Sequence, residues 1–368
     1  MADRIIAIDA SRYGDSQATG IERYSFEIIN RLFKLTTHHG YKPILFVRDY
    51  LPNFPTPCQQ KINFKRFWTL AGLSFKMLRN KPDILFVPSH VLPLVRAKKN
   101  IIMIHDVAFA RYPKIYTWRQ RFYLNWSTKY AIKHASKIIV PSEFTAEDLR
   151  IVFKCPAEKI EIIKHGVNES PQFTDDEKRV CFEKFGLVST DKYLLFLGRI
   201  EHKKNVARLI RAFASIPQNT GLKLVLGGKP GFGYELIRDI ANKCNVSDRI
   251  IFTDYLTEIE KAVLLKNAFS FVFPSLYEGF GMPILEAMKA GIPVIASDIP
   301  VLREVGGKAC YFVDPLSEQD ISRSVLEIMK DHEMRDRMIE LGYKQIAGFD
   351  WDKSADKTWK LFSEFLCS

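Results

Sequence analysis

Two carboxylates, Glu278 and Glu286, stand eight residues apart around the run Gly279-Phe280-Gly281-Met282-Pro283. Carboxylates accept hydrogen bonds from hydroxyl groups. The glycines beside Phe280 permit a sharp turn that exposes backbone N–H groups, and Pro283 suits the first turn of a helix, where a donor is dispensable. A helix N-terminus with free amides attracts an anion, by about 0.3–1 kcal/mol for the dipole alone at an exposed site. Amides framed by two acids therefore suit a ligand with phosphates in the middle and polyols on both sides, the layout of a nucleotide sugar. Standing alone, such a pair reads first as a cap and a solvated helix face, since charged residues are mostly just exposed.

The flanking elements must hold this turn. Ser270–Pro274 is an apolar run closed by proline and reads as a strand; a helix is expected from about Met282 to the C′ glycine Gly291; Pro293–Ser297 reads as the next buried strand. The same alternation of short apolar runs with helical stretches fills the whole chain and predicts α/β domains with parallel sheets. The other runs are Ile5–Asp9, Pro43–Val47, Ile84–Val87, Ile101–His105, Lys137–Val140 and Ile160–Ile163, then Tyr193–Leu197, Lys223–Leu226, Arg249–Phe252 and Ala309–Val313. The polar, breaker-rich His165–Pro171 separates the two series as a linker.

Other constellations could share the chemistry. Gly198-Arg199-Ile200-Glu201-His202-Lys203-Lys204-Asn205 follows a strand, so the Arg199 guanidinium and the Lys204 ammonium fall near its end. Cations there stabilise a departing diphosphate more than the intact donor; the bland alternative is a solvated basic loop. Thr19-Gly20-Ile21-Glu22-Arg23-Tyr24 opens a helix to about Leu35 but lacks the P-loop spacing. His105-Asp106 closes a strand, where a histidine is most often structural. Lys229-Pro230-Gly231-Phe232-Gly233-Tyr234 and the pair Tyr255-Leu256 each follow a strand and could line a nucleobase pocket or simply pack. There is no His-x3-His and no Asp-x-Asp at a strand end, so no metal site is expected.

The string Pro274 to Val294 closely resembles the signature of the glycogen-synthase-like retaining glycosyltransferases, family four, which have the GT-B fold of two Rossmann-like, doubly wound parallel-sheet domains facing across a cleft. The glycine loop, the His-Asp strand end, the Arg/Lys loop and the closing helix extend the resemblance over nearly the whole chain. It implies Arg199, Lys204 and the amides of Gly279, Phe280 and Gly281 on the diphosphate, with Gly20 approaching it from the first domain. Glu278 would bind hydroxyls of the donor sugar, His105 would contact that sugar with Asp106 as a possible orienter, Glu286 would bind the ribose, and the base would lie against main chain at Tyr255 and Leu256. It further implies a front-face route in which the leaving phosphate helps deprotonate the acceptor, no metal, and no cofactor besides the nucleotide-sugar donor. The first half and the Pro-Gly-Phe-Gly-Tyr segment are similar to mannosyl-type members, making GDP-mannose the expected donor and a UDP-sugar the runner-up. The departure is Ile163-Lys164-His165-Gly166-Val167-Asn168, where many relatives have Pro-Asn-Gly-Val-Asp. Expected domains are 1–168 on the acceptor side and 169–346 for the nucleotide sugar, with a helix in 347–368 returning to the first.

The 368 residues fit two domains, and 47% apolar with 26% charged residues is ordinary for a globular chain. No run reaches the roughly 18 apolar residues of a membrane span, and the N-terminus reads as a strand, not a leader, so a cytoplasmic location is expected. Six scattered cysteines without a Cys-x-x-Cys pair read as reduced thiols. The net charge of +12 is lopsided: residues 1–170 hold 27 bases against 14 acids, and the remainder 27 against 28. Bases and aromatics interleave in Lys61–Arg79 and again in Arg111–Trp126. Such stretches suit solvated helix faces or an anionic bilayer surface, and a lipid-linked acceptor favours the latter, at the inner face of the cytoplasmic membrane. Rivals are a nucleotide-sugar-binding scaffold without turnover and a nucleic-acid binder, the latter lacking any recognition module.

Overall fold

The computed structural model describes residues 4–14, 20–64, 68–79 and 81–367. Thr19, and Lys65, Arg66 and Phe67 of the first basic stretch, lie outside the described residues. The chain divides into two compact units, Met1–Gly166 with Asp350–Ser368, and Val167–Phe349.

In the first unit the strands are β1 (Ile5–Asp9), β2 (Lys42–Val47), β3 (Gln59–Lys61), β4 (Ile84–Val87), β5 (Lys99–Met103), β6 (Lys137–Val140) and β7 (Ile160–Ile162), with helices α1 (Gly20–His38), α2 (Ser74–Arg79), α3 (Ala108–Arg111), α4 (Trp118–His134) and α5 (Glu143–Phe153). The strands pair in the order β3-β2-β1-β4-β5-β6-β7, all parallel. Parallel sheets are covered on both faces, and β4, Ile-Leu-Phe-Val, is buried at every residue. Strand β3 is different: Gln59-Gln60-Lys61 sits on the edge. Its Gln59 side chain accepts from Leu51 N at 2.8 Å and donates to Leu51 O and Phe54 O at 2.9 and 2.8 Å, so an amide side chain anchors it where an apolar run would otherwise do so.

The second unit runs α6 (Asp175–Lys184), β8 (Lys192–Leu197), α7 (Val206–Ala214), β9 (Leu222–Gly227), α8 (Tyr234–Lys243), β10 (Ile250–Asp254), α9 (Glu258–Asn267), β11 (Ser270–Phe273), α10 (Met282–Ala290), β12 (Val294–Ser297), α11 (Pro300–Gly306), β13 (Cys310–Val313), α12 (Glu318–Lys330) and α13 (His332–Ile346). The sheet order is β10-β9-β8-β11-β12-β13, again parallel throughout. Strand order reverses between β1 and β4 in one sheet and between β8 and β11 in the other; such switch points open a crevice at the carboxyl ends of the strands.

The last helix, α14 (Trp351–Cys367), belongs to the first unit and packs on α1. Trp359 stacks on His39 at 4.9 Å, Phe362 meets Phe86 at 5.7 Å, and Arg31 Nε donates to Asp352 Oδ1 at 2.6 Å. Trp351, Ala355, Leu361, Phe362 and Leu366 are all buried.

Candidate active site

At the switch point of the second sheet, the loops after β8 and β11 are stitched together. Leu276 N donates to Lys203 O at 3.0 Å. Asn205, in the left-handed region at φ 60°, sends Nδ2 to Pro274 O at 3.0 Å and to Pro315 O at 2.7 Å, and its Oδ1 accepts from Arg208. Asparagine tolerates that conformation better than most residues; the Leu276 and Pro274 contacts bind 198–205 to the turn before α10, and the Pro315 contact ties it to the segment after β13. Gly228 lets the loop after β9 join them. Its φ is 142°, and a Cβ there would lie 2.0 Å from the Gly198 carbonyl oxygen, so a side chain cannot fit.

Lys204 and Glu278 are brought together by this arrangement. Nζ lies 2.6 Å from Oε1, the two side chains are 14% and 11% exposed, and the ammonium also sits 5.0 Å from the Phe273 ring. Seventy-four residues separate the two in sequence. Glu278 is thus not a lone acceptor; in this structure it holds the cation expected on the diphosphate. Arg199 stands exposed at the end of β8, with its stem under Gly231, where a Cβ would meet Arg199 Cγ at 2.7 Å. Gly281 is the residue before α10, at φ 108° with Leu302 Cδ2 only 2.7 Å from where a Cβ would be. The helix starts at Met282 and ends at Gly291, φ 76°, as the residue types require.

Glu286, in the second turn of α10, has a partner that local sequence does not reveal. Lys261 Nζ on α9 reaches its Oε1 at 2.7 Å, and both side chains are largely buried, at 19% and 14% exposed. Tyr255 and Leu256 directly follow β10. The Lys229 ammonium lies 4.7 Å over the Tyr255 ring, and a Cβ on Gly227 would lie 2.8 Å from Leu256 Cδ1. The loop 229–234 is held against 200–202, with Ile200 N to Lys229 O at 3.0 Å and His202 N to Phe232 O at 3.2 Å; Phe232 itself is exposed.

In the first unit, Gly20 is the first residue of α1. His105 lies two residues beyond the end of β5, not on it as the apolar run suggested. Its Nε2 is 3.1 Å from Pro88 O; a carbonyl only accepts, so Nε2 carries the proton and Nδ1 of the neutral ring is an acceptor. Burial disfavours the charged ring and brings its pKa to about 4. Tyr24 packs edge-on to His105 at 5.0 Å and against His165 at 4.8 Å. His165 is stacked on Trp351 at 5.6 Å, and burial lowers its pKa well below the usual value. Asp106 Oδ1 accepts from Ala108 N at 2.9 Å and so turns the chain into α3. Among the described residues no group of three or more His, Cys, Asp or Glu could hold a metal ion.

Two parallel, doubly wound Rossmann-like domains with a basic loop and an acid-framed helix start at a switch point define a GT-B glycosyltransferase. Residues 177–345 match the family model "Glycosyl transferases group 1" and residues 18–170 match "Glycosyltransferase Family 4". The chain belongs to the family 4 glycosyltransferases. It is 27% identical to an O-antigen chain mannosyltransferase B of Escherichia coli, over 92% of this chain and 94% of that protein. To the O-antigen chain mannosyltransferase RfbU of Salmonella typhimurium it is 26% identical over 94% and 96%. The solved sucrose-phosphate synthase of Thermosynechococcus elongatus shares the fold, with a TM-score of 0.77 at 21% identity and 99% coverage of both chains.

Proposed function

We propose that the protein is a retaining mannosyltransferase that moves mannose from GDP-mannose to a hydroxyl of a lipid-linked surface glycan such as O-antigen. The observation that carries this reading is the Lys204–Glu278 pair at the switch point, beside a helix N-terminus, in a chain similar along its length to two O-antigen mannosyltransferases. Arg199, Lys204 and the amides of Gly279 to Gly281 would hold the diphosphate. Glu278 would bind hydroxyls of the donor sugar and Glu286 those of the ribose, with the base along Tyr255 and Leu256. His105, neutral with Nδ1 as an acceptor, would contact the sugar, and Gly20 would leave room for the diphosphate.

In the transfer itself the bond between the anomeric carbon and the diphosphate oxygen breaks, and the acceptor oxygen bonds to the same face. The acceptor proton passes to the leaving phosphate, which departs as the nucleoside diphosphate. Its added negative charge is met by Arg199 and Lys204, whose attraction therefore grows toward the transition state. No metal is required in this route. Because the acceptor is lipid-linked, the basic first domain would work against the inner face of the cytoplasmic membrane; no helix among the described residues is long and apolar enough to cross it.

A melting series with GDP, UDP and ADP tests the donor. GDP should raise the melting temperature most. A larger rise with UDP would replace GDP-mannose by a UDP-sugar, and no rise with any of them would overturn the reading. Glu278→Ala should abolish transfer while the protein stays folded; an unchanged rate would refute its role.

A further inference from the structure

The first half of α4 is not built like a surface helix of a globular domain. Thr117 caps it with a full capping box, its Oγ1 accepting from Gln120 N. Every residue from Thr117 to Tyr123 is then exposed, whereas Ser127, Thr128, Ala131 and Ile132 further along are buried. The exposed turns carry large rings. Trp118 and Phe122 are each 72% exposed, Trp126 40% and Tyr123 36%. Trp118, Phe122 and Trp126 fall at i, i+4 and i+8 and so share one face. The base of the helix is fixed: Tyr130 stacks on Trp126 at 5.6 Å and donates to Leu94 O at 3.2 Å. Leu94 beside it is itself half exposed.

The charge around these rings has one sign. From Val107 to Ser142 there are seven bases and no acid. Arg111 is engaged with Asp148, Nε to Oδ1 at 2.9 Å, but Lys114, in the turn before the Thr117 cap, and Arg119 and Arg121, on the first turn of α4, are exposed, and the Arg119 guanidinium lies 5.4 Å over Trp118. Tryptophan and tyrosine favour the headgroup level of a bilayer, and each nearby base adds about 1 kcal/mol on an anionic surface, which is about fivefold in affinity. An acidic protein surface would use the bases but not an apolar stripe; single-stranded nucleic acid would stack on the rings, but no nucleic-acid recognition module accompanies them.

We propose that the first half of α4, with the turn that precedes it, is the membrane-docking element of the protein, with Trp118, Phe122 and Trp126 entering the interface of a bilayer and Lys114, Arg119 and Arg121 meeting the phosphates of anionic lipid. This deepens the membrane contact of the reading above by assigning it to one element and one lipid chemistry. The stretch Lys61–Arg79 is not needed for it.

The test is cosedimentation of the full chain with vesicles of phosphatidylcholine alone or with 30% phosphatidylglycerol, a composition of roughly physiological anionic content. The native chain should bind the anionic vesicles and bind the neutral ones at least tenfold more weakly. Trp118→Ser/Phe122→Ser should lose tenfold or more on anionic vesicles at any salt, and Arg119→Gln/Arg121→Gln should lose a similar factor at low salt only. Each variant should keep the native melting temperature and its rise with nucleoside diphosphate, which shows that the fold and donor site are untouched. Equal vesicle binding by the aromatic variant would overturn the proposal. So would a native dimer that this variant splits, since the stripe would then join two copies, or tight binding of an oligonucleotide lost with the same rings. Failure of every nucleoside diphosphate to stabilise the native chain would sink the transferase reading and leave the vesicle result standing by itself.

Discussion

Lys204→Met leaves the Glu278 carboxylate in place without the ammonium 2.6 Å away. Removing one member of a fully buried pair costs about 3–5 kcal/mol, because the other stays desolvated and unpaired. Here the side chains keep 14% and 11% of their exposure, and water reaching the carboxylate reduces the penalty, so about 2–3 kcal/mol is expected. In a domain of this size 1 kcal/mol shifts the melting temperature by about 2–4 °C, which predicts a fall of about 4–12 °C. Glu278→Gln should cost a comparable amount. The double variant removes both charges and should recover part of the loss, giving a coupling of about 1–3 kcal/mol in a double-mutant cycle followed by urea denaturation. A nucleoside diphosphate must compete with Glu278 for Lys204 in the native protein but not in Glu278→Gln. The ligand-induced rise in melting temperature should therefore be largest in Glu278→Gln and smallest in Lys204→Met. Additivity within about 0.5 kcal/mol, or an equal ligand shift in all four proteins, would refute this reasoning.

Lys261→Met releases the Glu286 carboxylate from its 2.7 Å partner and should raise KM for the donor about three- to tenfold with little change in kcat, read from initial rates. Gly228→Ala places a Cβ against the Gly198 carbonyl at 2.0 Å, where only backbone movement can relieve it, and should cost about 2–3 kcal/mol in denaturant unfolding. Phe362→Ala, at a fully buried position on α14, should cost about 3–5 kcal/mol; a loss below about 1 kcal/mol would mean that α14 is not integral to its unit. Acid should weaken the first unit through His105, whose folded pKa of about 4 lies below the ordinary 6.5. The unfolded chain binds the extra proton between these values, so stability present above pH 6.5 is lost as pH falls toward 4, by about 3 kcal/mol for this ring. His165 shifts in the same direction. Unfolding midpoints from pH 7.5 to 4.5 check this, and His105→Gln should flatten the curve.

The elements that were legible in the sequence are those whose signal is local. Strand, glycine turn, helix and glycine stop from Ser270 to Ser297 follow from apolar runs and from residues with special backbone freedom, and β1, β4 and β6 fall where three or four consecutive apolar residues predict them. Strand β3 gave no such signal, since Gln59-Gln60-Lys61 has neither alternation nor an apolar run, and its edge place depends on a side-chain amide reaching back to Leu51 and Phe54. The apolar run carries the expected strand on to His105 because Ile104, still buried, extends it past the last strand residue, Met103. The pairing of charges was invisible for a different reason. Lys204 finds Glu278 across 74 positions and Lys261 finds Glu286 across 25, and only the strand order brings them together. Sequence placed the acids and the bases in separate roles; the sheet makes each acid the partner of a base.

That pairing bears on how the site can act. Each glutamate of the motif is held by a lysine from another segment, Lys204 after β8 and Lys261 on α9, so the two acids are balanced before any anion arrives. A donor diphosphate, if bound as proposed, must exchange partners with Glu278 and not merely add a contact. The exchange is cheap when the incoming group carries more charge than the carboxylate it replaces, and it becomes more favourable as the sugar bond breaks and the leaving group gains charge. The same exchange frees the Glu278 oxygens to accept from sugar hydroxyls. A neutral sugar alone offers Lys204 no competing charge and should bind weakly, while the nucleoside diphosphate without sugar should keep much of the donor's affinity; titrating mannose and GDP separately by calorimetry decides it, and comparable affinities would show that Lys204 does not change partners.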